Sequence, residues 1–249
     1  MSFRPDHAFI LAAGMGKRLR PYTDSVPKPM VEVGGRPIID RTLDKLIAAG
    51  VKHVTVNTHY RADILENHLK KRKDIEIIFS REETLLDTGG GIKNALHTLG
   101  DEPFYVIAGD AVWTDGPSGC ALLRLAAAWE AEKMDIITLL QPLTAMKLTG
   151  GVGDFDLSAD GHTVRSLDKK GSYMWTNIRI NTPDIFRDAP EKVFSFLELM
   201  DRAEKSGRFY ALPHDGEWHH ISTPAELERV NENLNTCHPE RSEGSLLVP

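Results

Sequence analysis

Apolar and polar positions along this chain change period again and again. "HAFILAAG" is a short continuous apolar run that breaks on a glycine, the pattern of a buried strand leading into a turn. "PIIDRTLDKLIAAG" puts Leu43, Leu46 and Ile47 on one helical face and closes on Gly50. "VKHVTVNT" returns to strand, "ADILENHLKKR" to helix and "IEIIFS" to strand. "GGGIKNALHTLG" predicts a helix starting from glycines, and "PFYVIAGDA" another strand. "CALLRLAAAWEAEK" and "DIITLLQPL" repeat the alternation. Helix and strand in turn need crossover connections. The predicted fold class is therefore α/β, a Rossmann-like, mostly parallel (mixed) sheet with helices on both faces.

The second half is richer in strands: "GDFDLS", "YMWTNIRIN", "FYALPHD" and "EWHHI", with the helix "SFLELMDRAEKSG" among them. The last helix, "TPAELERVNENL", has Thr223 as N-cap, Pro224 at the first helical position and Glu226 completing a capping box. From Thr236 the periodicity stops. One domain is expected over 1–235 and a disordered tail over 236–249, with no internal repeat.

Composition narrows the function classes. Hydrophobic residues at 41% and charged residues at 27% suit a globular chain of 249 residues with a sizeable core. A net charge of −6 argues against bulk nucleic-acid binding. "AFILAAGMG" is too short and too glycine-broken to span a membrane, and no cleavage signal follows it. Cys120 and Cys237 form no metal or redox motif. The expected location is cytoplasmic, without nucleic-acid or membrane partners.

Against this background "LAAGMGKRLRPYTDSVPKPM", Leu11 to Met30, gathers two lysines and two arginines around and after Gly14 and Gly16. It is not a Rossmann fingerprint, because Leu19 stands where the third glycine belongs, nor a P-loop, because Arg18 follows Gly16-Lys17. The physical content remains. Glycines let backbone N–H groups approach phosphate oxygens, Arg18 offers a planar fork of donors, and Lys28 offers a point charge aimed by Pro27 and Pro29. A strand-ending turn with solvated basic residues would explain "GMG" alone but not the whole segment. In α/β sheets ligands lie beyond the carboxyl ends of the strands, where both "AAGMG" and the "AGD" of Asp110 fall.

The segment resembles the signature of the sugar-1-phosphate nucleotidylyltransferases, L-A-[AG]-G-x-G-x-R-[LM]-x-P-x-T-x-x-x-P-K-P, at every defined position. The resemblance continues through "LDTGGGIKNAL", "AGD", "GDF" and "EWHHISTPAEL", to about Leu234. Within the family it is most similar to the N-acetylmuramate 1-phosphate uridylyltransferases, which carry a "[ED]TGGG" loop and "GDVWTD"; here these are "DTGGG" and "GDAVWTD", with one residue inserted. The resemblance implies a glycosyltransferase-A-like fold whose N-terminal half binds nucleotide and whose C-terminal half binds sugar, as a monomer or homodimer. It carries no β-helical repeats after Leu234, so a fused acetyltransferase domain is not expected.

The implied reaction joins a nucleoside triphosphate to a sugar 1-phosphate by in-line attack on the α-phosphorus, releasing pyrophosphate. The attacking oxygen is already anionic, so catalysis is positioning and charge neutralisation. The resemblance assigns Ala12, Ala13, Gly14, Met15, Gly16 and Lys17 to the triphosphate turn. Arg18 falls to the leaving phosphates, Lys28 to the α-phosphate and sugar phosphate, and Asp110 to Mg²⁺. Asn57, Thr88, Gly89 and Gly90 are candidates for nucleotide contacts, though a strand-end turn and a helix cap explain them as well.

For the sugar it points to Asp154, Thr176 and Asn177, the last two where relatives often carry a glycine or small polar residue. Tyr173 and Trp175 have core packing as the alternative. The chain departs from the family at its late W-x-D-[VI]-G-T segment, where His220 stands at the aspartate and Ser222 at the glycine. His219 and His220 point to opposite faces of a strand, and the register favours His220 for the metal. Imidazole suits Mn²⁺ or another divalent ion better than Mg²⁺; a histidine that meets the metal only through water, or one that is merely packed, is the alternative. The resemblance implies UTP with N-acetylmuramate 1-phosphate as the substrate pair, which would place the protein in cell-wall sugar recycling. The alternatives are a mannose- or heptose-1-phosphate guanylyltransferase and a non-catalytic nucleotide-sugar-binding protein.

Overall fold

The computed structural model describes residues 3–237. In chain order its elements are β1 (His7–Leu11), β2 (Glu32–Val33), β3 (Arg36–Pro37), α1 (Ile38–Ala48), β4 (His53–Thr58), α2 (Ala62–Leu69), β5 (Glu76–Arg81), α3 (Asp87–Ala95) and β6 (Phe104–Ala108). These are followed by β7 (Ala111–Trp113), α4 (Ala121–Ala128), β8 (Ile136–Pro142), β9 (Phe155–Leu157), β10 (Thr163–Arg165), β11 (Tyr173–Asn181), α5 (Leu197–Lys205), β12 (Phe209–Pro213), β13 (Trp218–His220) and α6 (Pro224–Cys237).

The main sheet runs β10-β9-β11-β6-β1-β4-β5, with β8 also beside β11 and β12 beside β8. Pairs β1–β4, β1–β6, β4–β5 and β8–β12 are parallel, whereas β11 is antiparallel to its neighbours. The mixed α/β architecture is thus the expected one.

Strand alternation divides the core in two. Ala8, Ile10, Tyr105, Ile107, Ile178 and Ile180 face the α1, α2 and α4 side, with Leu43, Leu46, Leu65, Leu69, Leu122 and Leu125 packed over them. Phe9, Phe104 and Val106 face the other way, against Ile92 and Ala95 of α3 and Leu199, Met200 and Ala203 of α5. Period-two side chains on both faces, each covered by period-3.6 helices, are what the apolar runs require. A third cluster joins distant segments: Leu19, Val31, Val33 and Ile38 meet Val112, Ile221, Leu227 and Val230, so α6 clamps the far end of the glycine-rich segment.

Three differences from the expected elements stand out. Helix α3 starts at Asp87, two residues before the first glycine of its run, because Asp87 itself takes φ +62 and turns the chain. Helix α4 stops at Ala128, where Trp129 turns extended and packs into the core at 9% exposure. Helix α6 continues to Cys237, two residues into the expected tail; the rest of that tail, 238–249, lies outside the described residues. No helix among the described residues is long and apolar enough to cross a membrane.

The capping box at α6 forms. One Glu226 oxygen accepts from Ser222 N (3.0 Å), Ser222 Oγ (2.8 Å), Thr223 N (2.9 Å) and Thr223 Oγ1 (3.1 Å). Burial alone would raise the Glu226 carboxyl, but these donors hold it below the usual carboxylate range. A depressed folded pKa contributes stability above the unfolded value, and that stability is lost as pH falls through the folded one. Urea midpoints of the wild type should therefore drop more between about pH 5 and about pH 3 than those of Glu226→Gln. The variant should be weaker by about 1 kcal/mol at neutral pH. Parallel pH curves for the two proteins would contradict this.

Candidate active site

The carboxyl ends of β1, β4 and β6 open into a cleft of about 470 Å³, a size typical of small-molecule sites. Its walls include Ala12, Ala13, Gly14 and Lys28 of the glycine-rich segment, Asn57 after β4, Thr88 at the start of α3, Asp110 after β6, and Asn177 of β11. One short stretch of backbone shapes the floor. Gly109 N donates to Leu11 O at 2.9 Å, and a β-carbon on Gly109 would lie 2.8 Å from that same oxygen. Only glycine lets the two strand ends close up and aim Asp110 into the opening.

The glycine-rich segment leaves β1 and folds through short 3₁₀ turns at Lys17–Leu19, Tyr22–Asp24 and Lys28–Met30. Gly16 sits at φ +60, with Thr23 Oγ1 donating to its carbonyl at 2.9 Å. A β-carbon there would fall 2.9 Å from Thr23 and 3.2 Å from Lys28, so this glycine allows the turn to fold back on Lys28. Gly14, by contrast, has open space where a side chain would go.

Lys28 Nζ lies 2.8 Å from Asp110 Oδ2, and His220 Nε2 lies 3.0 Å from the same oxygen. The Lys28 side chain is 13% exposed and Asp110 29%, so the pair looks onto the cleft without being washed by solvent. Burial would raise the Asp110 carboxyl; the Lys28 ammonium and the His220 hydrogen bond reverse this and hold it well below the usual carboxylate range. His220 reaches the site because β13 pairs antiparallel with β7: His220 stands opposite Ala111, and Ile221 N donates to Asp110 O at 2.9 Å. His219 points to the other face, where Nε2 lies 3.4 Å from a Glu217 oxygen.

The donor set fits a divalent cation held by one carboxylate and completed by substrate phosphates: Asp110 Oδ1 has no hydrogen-bond partner among the described residues. No group of three or more His, Cys, Asp or Glu residues that could hold a metal alone occurs among the described residues.

Other expected site residues are placed away from the cleft walls or have their polar groups engaged by the protein itself. Lys17 and Arg18 are exposed and make no hydrogen bond or ion pair with a described residue. Met15 is half-buried beside them. The amides of Gly89 and Gly90 both donate to Phe194 O at 3.1 Å, and a β-carbon on Gly89 would sit 2.3 Å from the Phe194 ring. These glycines let the 192–196 segment lie against α3, so their amides are not free for a base edge. Thr88 is not the helix cap, which is Leu86; its hydroxyl accepts from Phe196 N at 3.0 Å.

Thr176 is 1% exposed and donates to Leu139 O at 2.7 Å, so its hydroxyl is turned into the sheet rather than to a ligand. Asp154 spends one oxygen on Lys169 (2.6 Å) and the other on Trp175 N (3.1 Å). Trp175 donates Nε1 to Thr138 Oγ1 at 3.2 Å, and Tyr173 packs against the second core cluster. Asn177 does face the cleft, at φ +57. That left-handed conformation favours glycine and tolerates asparagine.

Two residues were not anticipated. Buried Glu82 takes Asn57 Nδ2 at 2.8 Å and Leu86 N at 3.0 Å, while Asn57 Oδ1 accepts from Ala12 N at 2.6 Å. Asn57 therefore braces the glycine-rich segment against the β5–α3 connection. The only hint in the sequence is an acidic residue directly after an apolar strand. The other is Arg179, a charge set between two isoleucines of a strand.

A protein-family model described as nucleotidyl transferase matches residues 7–236, nearly the whole chain. The chain belongs to this family. It is similar to N-acetylmuramate alpha-1-phosphate uridylyltransferase of Caulobacter vibrioides, with 40% identity over 231 residues covering 90% of this chain and 95% of that protein. It also resembles mannose-1-phosphate guanyltransferase of Aspergillus oryzae, 42% identical over 110 residues but across only 42% of this chain and 30% of that one. The structure of HddC from Yersinia pseudotuberculosis complexed with GMP-PN superposes with a TM-score of 0.73 at 25% identity, covering 92% of this chain and 99% of that one.

The protein is a sugar-1-phosphate nucleotidyltransferase, with a nucleoside triphosphate and a sugar 1-phosphate as its substrate classes. Enzymes of the family generally use a divalent metal. The non-catalytic reading finds no support in a cleft that keeps Lys28 and Asp110 paired at its mouth.

Proposed function

We propose that the enzyme transfers uridylyl from UTP to N-acetylmuramate 1-phosphate, in the cytoplasm, as a step of peptidoglycan recycling. The observation that carries the reaction is the Lys28–Asp110 pair at 2.8 Å beneath the glycine-rich turn. The choice of base and sugar is supported by the end-to-end similarity to the Caulobacter protein. In this reading residues 1–235 form one domain, nucleotide on the N-terminal half and sugar on the C-terminal half.

Backbone groups from Ala12 to Gly16 wrap the triphosphate, and exposed Lys17 and Arg18 close over its leaving end when it binds. Asn57 holds Ala12 N in place, and Thr88 and Asp87 border the nucleoside. Lys28 bridges the α-phosphate and the incoming sugar phosphate, drawing two anions together without proton transfer. Asn177 and the segment around Asp154 border the sugar.

Asp110 would hold the metal, with His220 beside it, an imidazole more at home on Mn²⁺ than on Mg²⁺. Such an ion, when bound, neutralises charge on the reacting phosphates. Every other step is binding and orientation by side chains already described.

The test is pyrophosphate release from ATP, CTP, GTP, UTP and dTTP against a panel of sugar 1-phosphates, each with Mg²⁺, Mn²⁺ or chelator. Release confined to UTP with N-acetylmuramate 1-phosphate, and lost with chelator, is the expected result. Release from GTP with mannose or heptose 1-phosphate would keep the reaction and replace both substrates.

A further inference from the structure

Under the cleft, between β11 and the 192–196 segment, lies a cation with no anion. Arg179 is fully buried, and its guanidinium carbon stands 3.8 Å from the Phe196 ring centroid and 5.5 Å from that of Trp175. It forms no ion pair with any described residue, and its Nε and Nη2 have no hydrogen-bond partner. Nη1 donates to Oδ1 of Asn177, the residue through which this pocket of charge borders the cleft.

The arrangement is costly for a purely structural residue. Guanidinium stays charged in proteins, and a buried charge without a counter-ion is strongly disfavoured. Aromatic faces compensate part of the charge but none of the empty N–H groups. Burial pulls Arg179 down to about 9, which still leaves it protonated at neutral pH.

The backbone is bent to make the contact. The β11–β8 register shifts between Trp175 and Arg179, and Asn177 takes the left-handed conformation inside that irregularity. The amide oxygen of Asn177 thereby occupies a place where an anionic oxygen would serve better, with a second N–H group beside it still unused.

We propose that Arg179 and Asn177 form a subsite for a carboxylate carried by the sugar of the sugar 1-phosphate, so that Arg179 sets a preference for acidic over neutral sugars. The inference rests on the proposed substrate: muramate differs from glucosamine by a lactyl ether that ends in a carboxylate. The Asn177 side chain swings off Nη1, and the carboxylate takes Nη1 and Nη2 as a two-pronged acceptor, the geometry guanidinium suits best. No bond is made or broken at this subsite. It supplies the anion that Arg179 lacks among the described residues.

The experiment compares kcat/KM within two matched pairs: N-acetylmuramate 1-phosphate against N-acetylglucosamine 1-phosphate, and glucuronate 1-phosphate against glucose 1-phosphate. Wild type, Arg179→Met, Arg179→Lys and Asn177→Asp are measured. Wild type is expected to prefer the acidic member of the first pair. The second pair, whose carboxylate is C6 rather than part of a 3-O-lactyl arm, is the control for a general response to sugar charge. Arg179→Met should cut that preference roughly 10- to 100-fold, the range for one charge-assisted hydrogen bond in a buried site, with the change mainly in KM for the sugar phosphate. Arg179→Lys should retain part of it.

Because a buried substitution can also impair folding, Asn177→Asp decides independently: at the cleft wall it supplies Arg179 with an internal carboxylate and should abolish the preference. If wild type uses N-acetylmuramate 1-phosphate but neither Arg179→Met nor Asn177→Asp alters its preference, the subsite is refuted and the proposed function stands. If wild type shows no preference for the acidic sugar in the first pair, the subsite is refuted. If N-acetylmuramate 1-phosphate is not a substrate at all, the proposed function falls with it.

Discussion

Replacing Lys28 by methionine is expected to lower kcat/KM for nucleotidyl transfer by roughly 10²- to 10³-fold, about 2.7–4 kcal/mol of transition-state stabilisation. The size follows from how tightly the ammonium is aimed. Pro27 and Pro29 flank it, Met30 N donates to Pro27 O at 2.9 Å, and Val31 N donates to Lys28 O at 3.0 Å. Gly16 packs so closely that even a β-carbon there would touch the lysine stem. No neighbouring cation among the described cleft residues replaces it, since Lys17 and Arg18 lie exposed outside the walls. Methionine keeps the stem and removes only the charge. Arg20→Met is the control: Arg20 pairs with Asp24 on the surface, both over half exposed, and such pairs are worth little. Steady-state pyrophosphate release alongside urea midpoints makes the comparison. A loss below about threefold in a fully folded Lys28→Met enzyme would remove Lys28 from the phosphate site.

Asp110→Asn should cost more, on the order of 10³-fold, and should weaken activation by the divalent ion as well. One carboxylate oxygen already takes both Lys28 and His220; the other is open to the cleft. Asparagine conserves the shape but offers an amide, half of it a donor, to two groups that themselves donate. Lys28 then faces the substrate without its organising anion, and the site loses the charge a divalent ion requires. Metal titrations of activity, repeated with Mn²⁺, provide the readout. An Asp110→Asn enzyme activated at the same metal concentration as wild type would show that the ion is held elsewhere. A modest fall in stability is expected too, because removing one member of a half-buried pair strands the other.

These two residues are the part of the site most open to reading from sequence. Lys28 is locked between prolines in a local turn, and Asp110 ends an apolar strand that cannot bury it unpaired. The choice of His220 over His219 also follows from local geometry, since adjacent strand residues face opposite ways. The structure places His220 Nε2 3.0 Å from Asp110 Oδ2.

Other expectations depended on partners that lie far away in sequence. The run "DTGGG" reads as a flexible loop beside a helix, yet Gly89 and Gly90 are engaged by Phe194, over one hundred residues later. Thr176 reads as a polar residue near the sugar, yet the bend in β11 turns its hydroxyl to Leu139 O. Asp154 is claimed by Lys169 and by the backbone of Trp175. Arg179 sits between Ile178 and Ile180 and could be noticed there, but nothing in the sequence says whether a carboxylate meets it.

By itself, then, the sequence determined the α/β alternation, the two-faced sheet, the glycine-rich basic segment and the charges Lys28 and Asp110. Periodicity and turn chemistry are local, and they act through neighbours three or four residues apart. The tertiary structure alone decided the Asn57–Glu82 brace, the docking of the 192–196 segment on α3, the inward turn of Thr176 and the solitary burial of Arg179. Those are choices of partner for buried polar groups, and every such group must find its partner in the assembled core, across whatever length of chain the fold happens to close.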